Sequence, residues 1–240
     1  MKKTVTLIAN AGILLQINGK KILVDALHNR YTQRFSSVDD ALLEQICIGN
    51  PPFDEVDFLI FTHDHPDHYS KRHTAEFLKN NKHTRMISPI DDFAGIKGVH
   101  VLKTTHRNYE YDGIKITCRK LLHDGEEYAE IVNYGFVLDI DGFCIAFFGD
   151  STFDKQSIAE LIGGRHINAA IVNFPYITLR RGLECVKEAI KPDELVVFHL
   201  PFADKDAFSY VDASKRAAGK LTEIKTTLLL ERMQTVQIGK

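Results

Sequence analysis

Short apolar runs separated by turn residues open the chain. Thr4–Ala9, Ile13–Ile17 and Lys21–Asp25 read as three strands. Asn18-Gly19 between the last two is a hairpin signal, because both central positions of the tightest hairpin turn want positive φ. Ser36–Ile48 reads as a helix stopped by Gly49-Asn50-Pro51-Pro52, and Val56–Phe61 as a buried strand. A helix over Tyr69–Asn80 and a strand at Arg85–Ser88 come next. The middle is rich in strands: Ile114–Leu122, Ile131–Asp139 and Phe143–Phe148, with the hairpin signal Asp141-Gly142 between the last two. Alternation then returns, with strand Ala169–Asn173, helix Leu179–Ile190, strand Leu195–Phe198 and helix Asp206–Gly219. In the first of these helices Leu179, Leu183, Val186 and Ile190 share one face. The pattern predicts an α/β fold of two mixed sheets packed face to face with helices outside. No low-complexity linker divides the chain, so residues 1–240 are expected to form one domain.

Charge changes the picture little. Thirty Lys and Arg stand against 32 Asp and Glu, a net charge of −2, which supplies no general attraction to nucleic acid or to a membrane surface. Arg180-Arg181 is the one local basic pair of note, and a solvated helix face accounts for it equally well. Cys47, Cys118, Cys144 and Cys185 are far apart and form no C-x-x-C pair, so reduced thiols are expected. The N-terminus runs directly into a strand-like segment, and no stretch of about 18 apolar residues occurs. These features predict a cytoplasmic protein with no membrane span.

The candidate chemistry begins where the fourth predicted strand ends. Phe61-Thr62-His63-Asp64-His65-Pro66-Asp67-His68-Tyr69 holds three histidines and two aspartates in six consecutive positions. Imidazole and carboxylate together suit zinc or another first-row metal such as manganese, iron or nickel. A solvated polar loop is the alternative, and the density and strand-end position of the cluster argue against it. His63 and His65 are two apart, so in extended backbone they point to one side and can grip one metal. Asp67 and His68 lie beyond Pro66, which turns the chain, and can face a second metal. Asp64 then points away. Further His and Asp residues recur at predicted strand ends: His123 after Ile114–Leu122, Asp150 after Phe143–Phe148, and His199 after Leu195–Phe198. Taken singly, His123 and His199 also fit ordinary hydrogen-bonded histidines, and Asp150 a helix cap near Asp154–Ile162. Among the remaining candidates, His28 and His106 sit in loops within possible reach of a pocket. Asn10, Tyr69, Asn173 and Tyr176 flank the metal-bearing segments, with packing the ordinary role of the tyrosines.

The ordered set His63-x-His65-x-Asp67-His68, then His123, Gly149-Asp150 and His199, resembles the metallo-β-lactamase superfamily. Within it, the compact chain looks most like simple metal-dependent hydrolases related to the L-ascorbate-6-phosphate lactonase group. The resemblance implies a four-layer αββα sandwich. It also implies two divalent metal ions, zinc foremost: His63, His65 and His123 on one, Asp67, His68 and His199 on the other, and Asp150 bridging both. Asp25 matches an acidic position that supports the metal site from behind. The implied activity is hydrolysis of a small ester-like, lactone or phosphodiester substrate by activated water, with Asp67 also carrying a proton. A mononuclear iron dioxygenase on the same fold, or a metal-binding module without turnover, is the competing implication. A small-molecule substrate is the expected partner; substrate identity and oligomeric state are not encoded in any motif.

Overall fold

The computed structural model describes residues 2–30 and 36–239. In chain order the elements are β1 (Lys3–Ala9), β2 (Gly12–Ile17), β3 (Lys20–Val24), α1 (Asp40–Ile48), β4 (Phe58–Ile60), α2 (Lys71–Asn80), β5 (Arg85–Ser88) and β6 (Val99–Val101). They continue with β7 (His106–Tyr111), β8 (Ile114–Leu121), β9 (Asn133–Ile140), β10 (Phe143–Phe147), α3 (Lys155–Ile162) and β11 (Ala169–Asn173). The last are α4 (Pro175–Thr178), α5 (Arg180–Cys185), β12 (Glu194–Phe198), α6 (Tyr210–Ala218), β13 (Lys225–Leu228) and β14 (Thr235–Gln237). The chain divides into two compact units, residues 1–103 with 231–237, and residues 104–230 with 238–240. The loop His28–Ser37, which the sequence offers as a pocket wall, includes residues 31–35, and these lie outside the described residues.

The first unit is built on a seven-stranded mixed sheet in the order β14-β1-β2-β3-β4-β5-β6. β1, β2, β3 and β14 pair antiparallel, and β3 to β6 pair parallel. The predicted turn forms with Asn18 at φ 52° and Gly19 at φ 90°. Asp39 caps α1, its side chain accepting from the Leu42 amide at 2.7 Å, and Gly49 ends that helix at φ 70°. The helix expected from Ser36 therefore starts four residues later, at Asp40.

The second unit carries a second seven-stranded mixed sheet, β13-β12-β11-β10-β9-β8-β7. β7 to β10 are antiparallel and β10 to β13 parallel. Asp141 and Gly142 form the expected turn at φ 53° and 78°. Alternate residues Ala146, Phe148, Ala170, Val172, Leu195 and Val197 join Ile158, Leu161 and Val186 in one buried apolar cluster. This is the core on which the helices of the unit rest.

The expected helix Leu179–Ile190 forms from Arg180 onward. Leu179 is extended (φ −102°, ψ 141°) between α4 and α5, and Val186–Ile190 forms a π-helical turn. Gly182 allows α5 to approach α4 closely, since a Cβ there would lie 2.5 Å from the Pro175 carbonyl oxygen. Leu179 is 51% exposed, and the buried face is Gly182, Cys185, Val186 and Ile190. All four cysteines are buried and unbridged; burial pushes the thiols of Cys47, Cys118 and Cys185 up to about 12. No helix among the described residues is long and apolar enough to cross a membrane.

Gly12 is the tight point of the first unit. A Cβ there would stand 3.0 Å from both the Ala26 Cα and the Asp25 carbonyl oxygen. Gly12→Ala is expected to lower stability by about 1–3 kcal/mol, seen as a lower urea midpoint. An unchanged midpoint would mean that the Asp25–Ala26 backbone yields without cost.

Candidate functional site

In the first unit, parallel pairing of β3 with β4 sets Val24 opposite Ile60, which brings both strand ends out together. Asp25 follows β3 in the left-handed region at φ 47°, and its amide donates to the Ile60 carbonyl at 3.0 Å. A non-glycine residue there is held by its surroundings. Here the holding groups are visible: the Thr62 amide donates to Asp25 Oδ1 at 2.8 Å, and the Thr62 hydroxyl to Oδ2 at 2.6 Å. His68 Nδ1 lies 3.0 Å from the same Oδ2. Asp25 is 2% exposed, so these bonds replace its water.

This network sets the tautomers of two histidines. A carboxylate only accepts, so His68 Nδ1 must carry the proton it shares with Asp25. Thr62 has one hydroxyl proton and gives it to Asp25, so at 2.9 Å it accepts from His63 Nδ1. Both neutral imidazoles are left with the Nε2 lone pair as their metal-binding atom. The ring centroids of His63 and His65 are 4.7 Å apart and those of His63 and His68 3.9 Å. Ligand atoms of His63 and His65 lie within 4.8 Å of one another, as do those of Asp67 and His68. Asn10, at φ 41° in the first turn, donates from Nδ2 to Asp67 Oδ2 at 2.9 Å and fixes that carboxylate. Asp64 is exposed, whereas His63, Asp67 and His68 are buried and His65 half-buried.

In the second unit the same logic operates at one sheet end. β8, β10, β11 and β12 all run in one direction, and His123, Asp150, Asn173 and His199 sit at or just beyond their C-terminal ends. His123 is 7% exposed, and its Nδ1 donates to the Asp124 carbonyl at 2.7 Å, again leaving Nε2 as the lone-pair atom. His199 is held at φ 59°. Asp150 lies between the two imidazoles: His123 Nε2 is 3.9 Å from its Oδ2, and His199 Nε2 is 3.5 Å from its Oδ1. One carboxylate oxygen thus faces each histidine. Asn173 Nδ2 donates to Asp150 Oδ1 at 2.7 Å, and Asn133 Oδ1 accepts from the Asp150 amide at 3.3 Å. The cap of α3 is Asp154, which accepts from the Gln156 and Ser157 amides, so Asp150 is not spent on that role.

Other candidates fall outside these clusters. His28 is fully buried, with Nε2 3.4 Å from the Ala9 carbonyl, and His106 lies on the exposed strand β7. Tyr176 is a packing residue, stacked near Phe148 and bonded to Ser151 at 2.8 Å, and burial raises its pKa. Tyr69 donates to Asp92 at 2.7 Å, and burial and that carboxylate raise its pKa; Lys71 and Tyr69 together hold Asp92 below the usual carboxylate range. Two positioning residues escaped the sequence reading. Thr62 was only the residue before the histidines, and Asn133 only part of a strand-like phrase. A polar residue at the boundary of a buried strand was the available signal for both.

Two sets of buried and half-buried histidines and carboxylates, oriented by hydrogen bonds at strand ends, define a metal-binding α/β protein. The model of the Beta-lactamase superfamily domain matches residues 4–172, and the chain belongs to that family. A UPF0173 metal-dependent hydrolase of Staphylococcus carnosus is 25% identical over 225 residues, covering 87% of this chain and 88% of the relative. Among solved structures, the metallo hydrolase Igni18 of Ignicoccus hospitalis has a TM-score of 0.70 at 15% identity, with 100% of both chains covered. Isothiocyanate hydrolase from Delia radicum gut bacteria has a TM-score of 0.67 at 18% identity, covering 97% and 98%. The fold is therefore the metallo-β-lactamase fold, with the two mixed sheets expected from the hydrophobic pattern.

The donor set fits divalent first-row ions, because three imidazoles have their Nδ1 committed to oxygen acceptors and the remaining candidates are two further histidines and two carboxylates. Asp25→Asn replaces an acceptor oxygen with a donor facing His68 or Thr62. Zinc affinity is expected to fall about 10–100-fold, measured by competition with a chromophoric chelator. An affinity equal to that of the parent protein would remove Asp25 from the site.

Proposed function

We propose that His63, His65 and His123 bind one divalent ion, that Asp67, His68 and His199 bind a second, and that Asp150 bridges the two. The observation that carries this reading is the orientation of Nε2 on three separate histidines by hydrogen-bond acceptors at Nδ1, two of them buried, which an unliganded polar cluster does not require. The ligand order of the superfamily supplies the pairing. Membership of that family and the metal-dependent hydrolase relative make the chain a metal-dependent hydrolase. The further reading is hydrolysis of a small ester-like, lactone or phosphodiester bond.

When bound, such a pair of ions supplies Lewis acidity to the substrate oxygen and lowers the pKa of water. The chain's own residues do the positioning. Asp25 and Thr62 hold His63 and His68 in one tautomer, so no imidazole has to shift its proton before ligating. Asn10 holds Asp67 through Oδ2, which leaves this carboxylate oriented to take a proton from water and return it to the leaving group. Asn173 and Asn133 fix the Asp150 carboxylate and its backbone. The isothiocyanate hydrolase with the same fold supports a small electrophilic carbon centre as the target.

The test is a screen of lactones, thioesters, carboxylate esters and phosphodiesters on protein of known metal content. Turnover of one class with two ions per chain is expected, and His63→Ala with His65→Ala should abolish metal retention and turnover together. Unchanged metal content in that double variant would sink the assignment. One redox-active iron per chain, with oxygen consumption, would favour the dioxygenase.

A further inference from the structure

Four strands close the edges of the two sheets: β14 and β6 in the first unit, β13 and β7 in the second. β14 and β6 have three residues each and β13 four, whereas β7 has six. Shortness protects an edge against pairing with another chain, as do prolines, bulges and covering loops. β7 has none of these. It contains no proline, and its pairing with β8 runs through six consecutive positions without a shift. Every side chain of β7 except the half-buried Tyr109 is exposed. Charges also defend edges, but here they are of both signs, Arg107 and Glu110, with no lysine.

The hairpin decides which backbone groups of β7 face outward. The turn Asp112-Gly113, with φ 48° and 78°, joins Tyr111 directly to Ile114. Those two exchange both hydrogen bonds, and every second residue back along β7 does the same with β8. The Lys120 amide, donating to the Thr105 carbonyl at 2.8 Å, follows the same alternation. Arg107, Tyr109 and Tyr111 therefore spend their backbone groups on β8, and His106, Asn108 and Glu110 point theirs outward. Among the described residues only the Thr104 hydroxyl meets this outward row, donating to the His106 carbonyl at 3.0 Å. A carbonyl has two lone pairs, so that bond does not close the edge.

The row fits a second copy of itself. A two-fold axis normal to the sheet makes the two strands antiparallel and keeps every side chain on its own face. With that axis at Asn108, this residue faces its own counterpart, and all three outward residues join the new ladder. His106 then faces Glu110 of the second copy, an imidazole against a carboxylate. Arg107 faces Tyr109 of the second copy, a cation against a ring, as Arg107 already lies 5.9 Å from the Tyr109 ring of its own strand. Both pairs occur twice across the axis. Other centres do worse: an axis at Arg107 or Glu110 sets like charges face to face. An axis at Tyr109 uses only Asn108 and Glu110 of the outward row and leaves His106 beyond the pairing.

We propose that β7 is the surface on which two copies of this chain pair, antiparallel and centred on Asn108, into one sheet continuous across both. The surface belongs to the second unit alone and uses none of the residues assigned to metal. A net charge of −2 on each chain opposes the approach of two copies only weakly.

Sedimentation equilibrium of the full chain tests this over about 1–300 µM, the range that a small interface requires. The weight-average mass should rise from that of one chain towards that of two. Asn108→Pro removes an outward N–H and leaves the bonds to β8 in place, so it should abolish the rise while metal content and thermal midpoint stay at parent levels. His106→Glu, at an exposed side chain, should weaken pairing about tenfold, because the like-charge contact it makes with Glu110 occurs twice. Adding Glu110→Lys to that variant should restore pairing. Asn108→Cys should oxidise to a covalent dimer, since hydrogen-bonded partners stand about 5.5 Å apart at Cα, within disulfide reach. Glu110→Cys should not. A chain that stays monomeric at every concentration has a solvated edge, or one kept for another protein's strand, and would overturn the proposal. A dimer indifferent to Asn108→Pro and to His106→Glu would place the interface elsewhere and overturn it equally. Cross-linking through Tyr109→Cys in place of Asn108→Cys would overturn the register.

Discussion

A single buried carboxylate organises the first unit's chemistry. Asp25 is enclosed with 2% exposure, yet all that surrounds its two oxygens is donor: an amide, a hydroxyl and an imidazole Nδ1. Hydrogen bonds to a charged group contribute about 1.5–3 kcal/mol each, and leaving such a group buried without them costs more. The left-handed backbone of Asp25 and the bare Cα of Gly12 are the local costs of bringing that carboxylate to the strand end. Their result is two histidines of fixed tautomer, oriented before any ligand arrives. That is preorganisation in the plain sense: the proton positions and ring orientations are set by folding.

The second unit reaches a similar result by topology. Strands running in one direction deliver His123, Asp150, Asn173 and His199 to one sheet end, where loops are free to carry chemistry while the strands beneath stay rigid. Asp150 is held by Asn173 on one oxygen and by Asn133 through its amide, so its two oxygens can face different neighbours. Nothing in this arrangement uses the buried cysteines, whose thiols burial keeps protonated.

Much of this was legible from residue order. The type I′ signals Asn18-Gly19 and Asp141-Gly142 encode their turns directly, because few residue pairs tolerate two positive φ values. The histidine-rich loop announced itself by density and by following an apolar run. Other features were illegible for definite reasons. β7 is an exposed strand of charged and aromatic residues, His106–Tyr111, without the apolar alternation that marks a half-buried strand. Its hairpin residues Asp112 and Gly113 carry the same positive-φ signature as the others, but no apolar run preceded them. The close approach of Gly182 to Pro175 is a contact between segments that periodicity along one helix cannot register. Thr62 and Asn133 act through partners distant in the chain, Asp25 and Asp150, so neither stood out beside its own neighbours.

The central claim is that hydrogen-bond acceptors at Nδ1 fix the protonation of His63, His68 and His123 before metal binds. Nitrogen-15 NMR of the metal-free protein reads this directly, since two-bond couplings within each imidazole distinguish Nδ1–H from Nε2–H. His63, His68 and His123 should all appear as Nδ1–H tautomers, and in Asp25→Asn the first two should lose that state while His123 keeps it. Nε2–H forms of His63 and His68 in the parent protein, or tautomers indifferent to Asp25, would contradict the account.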